Sequence, residues 1–269
     1  MRAAVIQISS GTDRAGNVER ALALVDRAAR LGARLVVLPE YMTYLGRFEG
    51  LAAVAETVPG PTSVRLAAKA REHGIYLHGG SLIERSPRPD RFYNTSLLYG
   101  PEGQLLATYR KIHLFDVDVP GQVTVRESQA FLPGDTLAIA PAGDLQLGLS
   151  ICFDLRFPEL YRALAIRGAE VLLVPAAFAQ ATGRVHWEIL LRARAIENHA
   201  YVLAAAQYGQ DAAGRGYYGH SLIVDPWGAV LGELPDGEGI LLADLDPEQV
   251  RQRRQQVPVL ELRRPAAYE

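Results

Sequence analysis

Among its 269 residues the chain has one cysteine, Cys152, and two lysines, Lys69 and Lys111. A single thiol excludes an internal disulfide framework and a cysteine-rich zinc site. The six histidines, at 73, 78, 113, 186, 199 and 220, show no close metal-ligand spacing, so no metal is expected. Formal net charge is only −2, which leaves no global field to recruit nucleic acid or an acidic membrane. No apolar run approaches membrane-spanning length. The opening Met-Arg-Ala-Ala-Val-Ile enters a short strand-like run without the sustained apolar segment of a signal peptide. These absences lead to the expectation of a cytoplasmic protein with no membrane or nucleic-acid partner. Linkers are lacking too. The stretches 85–91 and 210–216, richest in Pro, Gly and polar residues, are loop-sized, and one domain over 1–269 is expected.

What is present is a large apolar fraction, 49% of residues, enough for an extensive core, and an alternation of strand-like and helical segments. Strands are expected at 3–9, 35–40, 75–83, 93–99, 104–111, 136–140, 145–151, 171–174, 201–206, 221–224, 229–231 and 240–244. Helices are expected at 17–31, 62–73, 158–167 and 187–198, from apolar spacing and from stops such as Gly74. The stretch 112–132 is long, polar and without clear period, a candidate functional loop. An internal echo links Gly32-Ala-Arg-Leu-Val-Val-Leu-Pro39 to Gly168-Ala-Glu-Val-Leu-Leu-Val-Pro175. Each copy follows a helix and precedes a loop, a helix and another strand. The order points to two βαβ-type halves, hence two sheets face to face with helices outside.

Three residues of unusual chemistry fall at three of these strand ends. Cys152 ends the run Leu-Gly-Leu-Ser-Ile, Glu40 ends Val-Val-Leu-Pro, and Lys111 ends Leu-Leu-Ala-Thr-Tyr-Arg. Strand carboxyl ends are where layered α/β proteins gather ligands and catalytic groups. A chain that writes arginine 26 times and lysine twice uses lysine where a compact ammonium with a movable pKa is needed. Lys69 lies in an Ala/Arg-rich helical pattern and reads as a solvated face residue. A carboxylate, an ammonium and a thiol suffice for acyl transfer. The thiol attacks, activated by the carboxylate or by a neighbouring positive charge; the ammonium stabilises the oxyanion; the carboxylic acid protonates the departing amine and then activates water. Such a thiol is expected to ionise below a free thiol. Each residue alone also admits a plainer reading: a small buried hydrophobe, a turn-capping Glu, a solvated edge Lys.

Other motifs fail on context. Gly214, Gly216 and Gly219 match a dinucleotide-binding spacing, but a strand-like run follows where a helix is required, so no NAD is expected. Gly219-His-Ser221 lacks the final glycine of a nucleophile elbow. The cluster Arg251-Gln-Arg-Arg254 is too short to argue for nucleic acid and reads as a solvated helix face. His113 is near enough to Lys111 to shape the site or to make a structural hydrogen bond.

The segments Leu-Pro-Glu40, Tyr-Arg-Lys111 and Ile-Cys152-Phe-Asp-Leu-Arg-Phe-Pro-Glu together resemble the nitrilase, or carbon–nitrogen hydrolase, superfamily. So do the stretch from His113 to Gly121, Arg126-Glu-Ser128, His186 to Asn198, Asp225-Pro-Trp-Gly228 and the tail Arg263-Arg-Pro265. The later segments resemble the branch of deaminated-glutathione amidases and ω-amidases. The resemblance implies a four-layer αββα sandwich with two pseudo-symmetric halves, usually dimerised, and cofactor-free hydrolysis of a small amide. It implies Cys152 as nucleophile, Glu40 as base and acid, Lys111 as oxyanion partner, and Glu127 as the glutamate that positions substrate and nucleophile. It further implies the Phe153 N–H as second oxyanion donor, with Arg156, Phe178 and Thr182 lining the pocket. Arg156 pairs with a substrate carboxylate on this reading, or with Asp154 or Glu159 inside the protein. Deaminated glutathione is the first substrate expected, with 2-oxoglutaramate or 2-oxosuccinamate next; a non-catalytic binding scaffold is the alternative from another class. The segments 41–46 and 182–186 depart from the branch pattern, and both border the expected pocket.

Overall fold

The computed structural model describes residues 1–121 and 123–267. The first half comprises β1 (Arg2–Gln7), α1 (Arg14–Arg30), β2 (Leu35–Val37), α2 (Leu51–Val54), α3 (Pro61–His73), β3 (Tyr76–His78), β4 (Leu82–Arg85), β5 (Phe92–Tyr99) and β6 (Leu105–Arg110). The hairpin β7 (Asp116–Val119) and β8 (Val123–Arg126) follows. The second half comprises β9 (Ile139–Ala142), β10 (Leu145–Leu149), α4 (Pro158–Ile166), β11 (Val171–Leu173), α5 (Gln180–Asn198), β12 (Tyr201–Ala204), β13 (Tyr208–Gln210), β14 (Gly216–Tyr218), β15 (Leu222–Val224), β16 (Val230–Glu233), β17 (Gly239–Asp244) and α6 (Pro247–Gln256).

Two sheets carry the fold. One runs β17-β1-β2-β3-β5-β4, with β6 also paired to β5; the other runs β16-β15-β12-β11-β10-β9. Strand alternation sorts side chains between faces. Along β1, Ala3 and Val5 enter the core shared with the second sheet, while Ala4 and Ile6 enter a separate core with α1 and α3. Leu35 and Val37 of β2 face the shared core and Val36 the helices. On α1 the buried residues Val18, Ala21, Leu22, Val25 and Ala28 recur at helical spacing. On α5, Trp187, Leu191 and Ala195 make the equivalent stripe over the second sheet. The four layers are those expected.

The halves are built alike. In the first, β1, β2 and β3 are parallel neighbours; in the second, β10, β11 and β12 are. The repeated motif places β2 and β11 at the centre of these triads. Parallel strands bring their carboxyl ends to one edge, and β6, antiparallel to β5, ends there too.

Several boundaries differ from expectation. The strand expected over 75–83 is two, β3 and β4, broken at Gly80, whose φ is +64; a Cβ there would lie 2.0 Å from the Pro39 carbonyl oxygen. The strand expected at 136–140 is β9, which starts three residues later and ends two later. The stretch 112–132 is not a plain loop: its Val117, Val119, Val123 and Val125 are half-buried in alternation with exposed residues, which makes the β7–β8 hairpin. Its Gln122 lies outside the described residues, as do Tyr268 and Glu269. Helix α5 begins two turns before the expected 187, because Gly183 lets the helix approach Tyr218; a Cβ there would sit 2.4 Å from that ring. Lys69 is no free face residue, since its ammonium bridges Asp26 at 2.7 Å and Glu72 at 3.0 Å. Arg254 on α6 turns inward and donates to the Ala169 carbonyl at 2.5 Å. Among the described residues, no helix is long and apolar enough to cross a membrane.

Candidate active site

The three strand-end residues meet. Glu40 lies three residues beyond β2, Lys111 directly beyond β6 and Cys152 three residues beyond β10. Lys111 is 2% exposed and Glu40 1% exposed. The Lys111 ammonium donates to Glu40 Oε1 at 3.0 Å and to both oxygens of Glu127, at 2.9 and 3.1 Å. Burial works against the charge on Lys111, and Glu127 and Glu40 outweigh it, so the amine is held protonated.

Both carboxylates are tied down by partners from distant elements. Asn94 on β5 donates to Glu40 Oε1 at 2.8 Å, and the Ala177 N–H donates to Oε2 at 2.8 Å. Gln207 donates to the Glu40 carbonyl at 2.8 Å and binds Ser10, drawing together the ends of β1, β2 and β12. Glu127 sits on the single turn of 3-10 helix after β8. Its Oε2 also accepts from the Phe115 N–H and its Oε1 from the Tyr41 hydroxyl, both at 2.6 Å.

Cys152 stands at a turn with φ +47, a left-handed conformation that costs a non-glycine residue about 1–2 kcal/mol. Its neighbours impose it. The Cys152 N–H donates to the Pro175 carbonyl at 2.9 Å. Asp154, fully buried, accepts from the Ile151 N–H at 2.8 Å, the Tyr109 hydroxyl at 2.7 Å, the His113 N–H at 3.0 Å and the His113 ring Nδ1 at 2.7 Å. His113 also stacks on Phe157, with ring centroids 3.6 Å apart. Through Asp154 it joins the cysteine turn to the loop that carries Lys111.

The expectation of a low thiol pKa fails. Burial pushes the Cys152 thiol well up and Glu40 pushes it further, with Lys111 pulling only partly the other way. Burial and Glu40 thus both favour the neutral thiol over the thiolate. The carboxylate can therefore remove the thiol proton during attack, whereas a preformed thiolate has no proton for it to take.

These groups floor a cavity of about 380 Å³, a size suited to a small ligand. Arg156, Phe178 and Thr182 are among the residues that line it. Arg156 pairs with neither Asp154 nor Glu159. Its guanidinium lies 5.1 Å from the Phe178 ring centroid and 5.8 Å from that of Phe153, and it meets His186 Nδ1 at 3.3 Å. Among the described residues no carboxylate is within ion-pair distance of it, while Arg215 on the same wall is held by Asp211 at 2.7 Å. The Phe153 N–H makes no backbone hydrogen bond among the described residues. Asp26, Glu72 and His73 converge on the outer surface, where the Lys69 ammonium sits among them.

Sequence reasoning missed Asn94, Tyr41, Gln207 and the Ala177 amide. The first three carry no local signal, since their partners lie 54, 86 and 167 residues away. A backbone amide has no residue type to betray it.

A carbon-nitrogen hydrolase domain matches residues 2–255. The chain belongs to the carbon-nitrogen hydrolase family. It is 41% identical over 267 residues to omega-amidase NIT2 of Mus musculus, covering 99% of this chain and 96% of that one. It is 43% identical over 272 residues to deaminated glutathione amidase of Bos taurus, covering 98% of this chain and 82% of that one. In structure it is similar to the amidase of Nesterenkonia sp. AN1, with a TM-score of 0.80 at 33% identity, covering 97% of this chain and 100% of that one. A mutant of that amidase, which is itself of the nitrilase superfamily, has been captured with acrylamide added at the active-site cysteine. The nitrilase resemblance read from the motifs is thereby borne out.

Proposed function

We propose that this carbon-nitrogen hydrolase is a cofactor-free cysteine amidase that cleaves the C–N bond of a small carboxylic-acid amide through a thioester. The observation that carries the reading is the convergence of Glu40, Lys111 and Cys152 at one buried point, with the Lys111 ammonium donating to Glu40.

The chemistry follows from the contacts. As Cys152 Sγ attacks the amide carbonyl, its proton passes to Glu40 and the carbonyl π pair moves to oxygen. The Lys111 ammonium and the free Phe153 N–H stabilise that oxyanion. Glu40 then gives the proton to the amide nitrogen, the C–N bond breaks, and ammonia or an amine leaves. Water enters, Glu40 takes one of its protons, and hydroxide displaces the thiolate from the thioester, which regains its proton from Glu40. Glu127 does not exchange protons in this scheme. It holds Lys111 from the side opposite Glu40.

Deaminated glutathione is the substrate of first choice, with 2-oxoglutaramate or 2-oxosuccinamate next. All are acids, and the Arg156 guanidinium, without a carboxylate of its own, offers a planar fork to a substrate carboxylate. Phe178 and Thr182 shape the wall beside it. The same proposal extends to a cytoplasmic homodimer. A free thiol nucleophile suits a reducing compartment. The exposed Val185, Ile189 and Ile196 on α5 give an apolar stripe to cover.

The test is release of ammonia or amine from deaminated glutathione, 2-oxoglutaramate, 2-oxosuccinamate, glutamine, asparagine and a simple nitrile, with Cys152→Ala in parallel. Preference for deaminated glutathione, lost by at least about 10⁴-fold in the variant, is expected. Preference for 2-oxoglutaramate would keep the mechanism and change the substrate. Turnover that survives Cys152→Ala would overturn the mechanism.

A further inference from the structure

Tyr41 follows Glu40 directly and has a left-handed backbone, φ +55. A β/αL excursion at a bulky residue persists only where the surroundings impose it. Here the turn 79–81 imposes it. The Tyr41 N–H donates to Ser81 Oγ at 2.9 Å, the Met42 N–H to the Ser81 carbonyl at 3.1 Å, and the Ser81 N–H to the Pro39 carbonyl at 3.2 Å. The consequence is that two consecutive side chains reach the same centre. Glu40 meets Lys111 on one side, and the Tyr41 hydroxyl meets Glu127 on the other, at 2.6 Å.

We propose that Tyr41 is a positioning residue: its hydroxyl caps Glu127 Oε1 and thereby keeps the Lys111 ammonium shared between Glu127 and Glu40. This rests on the amidase reading of the same site. Glu127 receives four hydrogen bonds, two per oxygen: Tyr41 and Lys111 on Oε1, Phe115 and Lys111 on Oε2. Each neutral donor spreads the carboxylate's charge and weakens its hold on the ammonium. Without the phenol, Oε1 would have only the ammonium left, and Glu127 would draw Lys111 away from Glu40 and the thiol. Burial, followed by Glu127 and Glu40, pushes the phenol well above its ordinary pKa, so it stays a donor.

Glu127 is the centre of this set of contacts. The titratable groups around it are Lys111 and Tyr41 in direct contact, Glu40 and Cys152 beyond the ammonium, and Arg156, Arg215 and Tyr217 across the cavity.

Tyr41→Phe keeps the ring and its contact with Phe131, 6.1 Å between centroids. Two readouts decide the proposal: amide turnover against pH, and the rate of Cys152 alkylation by iodoacetamide against pH. In Tyr41→Phe, kcat is expected to fall about ten- to a hundredfold, the rate equivalent of one hydrogen bond to a charged group. KM should stay within about twofold. The alkylation profile should move to higher pH, since Lys111 is what pulls the thiol down. In a Glu127→Gln background the same substitution should change neither profile. Unchanged profiles in Tyr41→Phe, or an equal shift with Glu127→Gln already present, would overturn the proposal. If the wild-type protein turned over no amide, the amidase reading would fall, and the alkylation profiles would still settle the role of Tyr41.

Discussion

The two halves repeat a fold but not a chemistry. After β2 the chain reads Leu-Pro-Glu40; after β11 it reads Val-Pro-Ala176. In the first copy the strand end delivers a carboxylate. In the second it delivers backbone, and the Ala177 N–H donates to that same carboxylate at 2.8 Å. The first half, with the segment joining it to the second, supplies the buried charges Glu40, Lys111 and Glu127. The second supplies the thiol and, in the mechanism proposed, the Phe153 amide. Two similarly built edges meet at the site, and the mechanism proposed places proton transfer on one and covalent chemistry on the other. The division has an energetic side. The charges hold each other in place, so they are structural as well as reactive. The thiol holds nothing: its turn is fixed by Asp154 and Pro175, whatever sulfur it carries.

Removing one member from each half should expose that difference. Cys152→Ala should abolish turnover while leaving stability near that of the parent. Lys111→Met should lose turnover and also destabilise, because it leaves Glu40 and Glu127, 1% and 2% exposed, without their cation. Breaking a buried ion pair on one side costs about 3–5 kcal/mol, which for a chain of this size lowers the melting temperature on the order of 10 °C. Adding Glu127→Gln should return part of it. Equal melting temperatures for Lys111→Met and Cys152→Ala would refute the division. Next in size is Arg156→Gln. It should raise KM for amides bearing a carboxylate about ten- to a hundredfold, the loss of a charge-assisted contact, and leave a neutral amide such as propionamide unaffected. An equal effect on both would mean that Arg156 only shapes the wall.

Sequence legibility also divided along this line. Glu40, Lys111 and Cys152 could be picked out because each is a side chain of unusual chemistry at the end of an apolar run, and because lysine is so scarce. The echo of residues 32–39 in 168–175 disclosed the paired triads before any coordinates. What supports the trio was hidden. Asn94 is an ordinary polar residue until β5 sets it beside Glu40. The left-handed turn of Tyr41 depends on Gly80, 39 positions on, meeting the Pro39 carbonyl. The β7–β8 hairpin is different, because the alternation of its valines about Pro120-Gly121 was readable, and the acidic residues between them masked it. The ionisation of Cys152 was misjudged for a general reason. A neighbouring ammonium was in view in the sequence, but the extent of burial was not, and burial is the larger influence.

The smallest effect expected is at His113, which joins the halves without touching the reacting atoms. Its ring Nδ1 donates to Asp154 at 2.7 Å and the ring stacks on Phe157. Asp154 would keep the Ile151 and His113 amides and the Tyr109 hydroxyl after His113→Asn, three of its four donors. The turn at Cys152 should therefore survive with one partner fewer. The loss of a single buried hydrogen bond is about 1–2 kcal/mol, so melting should fall by only a few degrees and kcat by less than about tenfold. Asp154→Ala removes all four contacts and should do much more, releasing the left-handed strain at Cys152. If His113→Asn matched Asp154→Ala, the elbow would be held by the histidine and not by the carboxylate, and the two halves would be joined by a single ring.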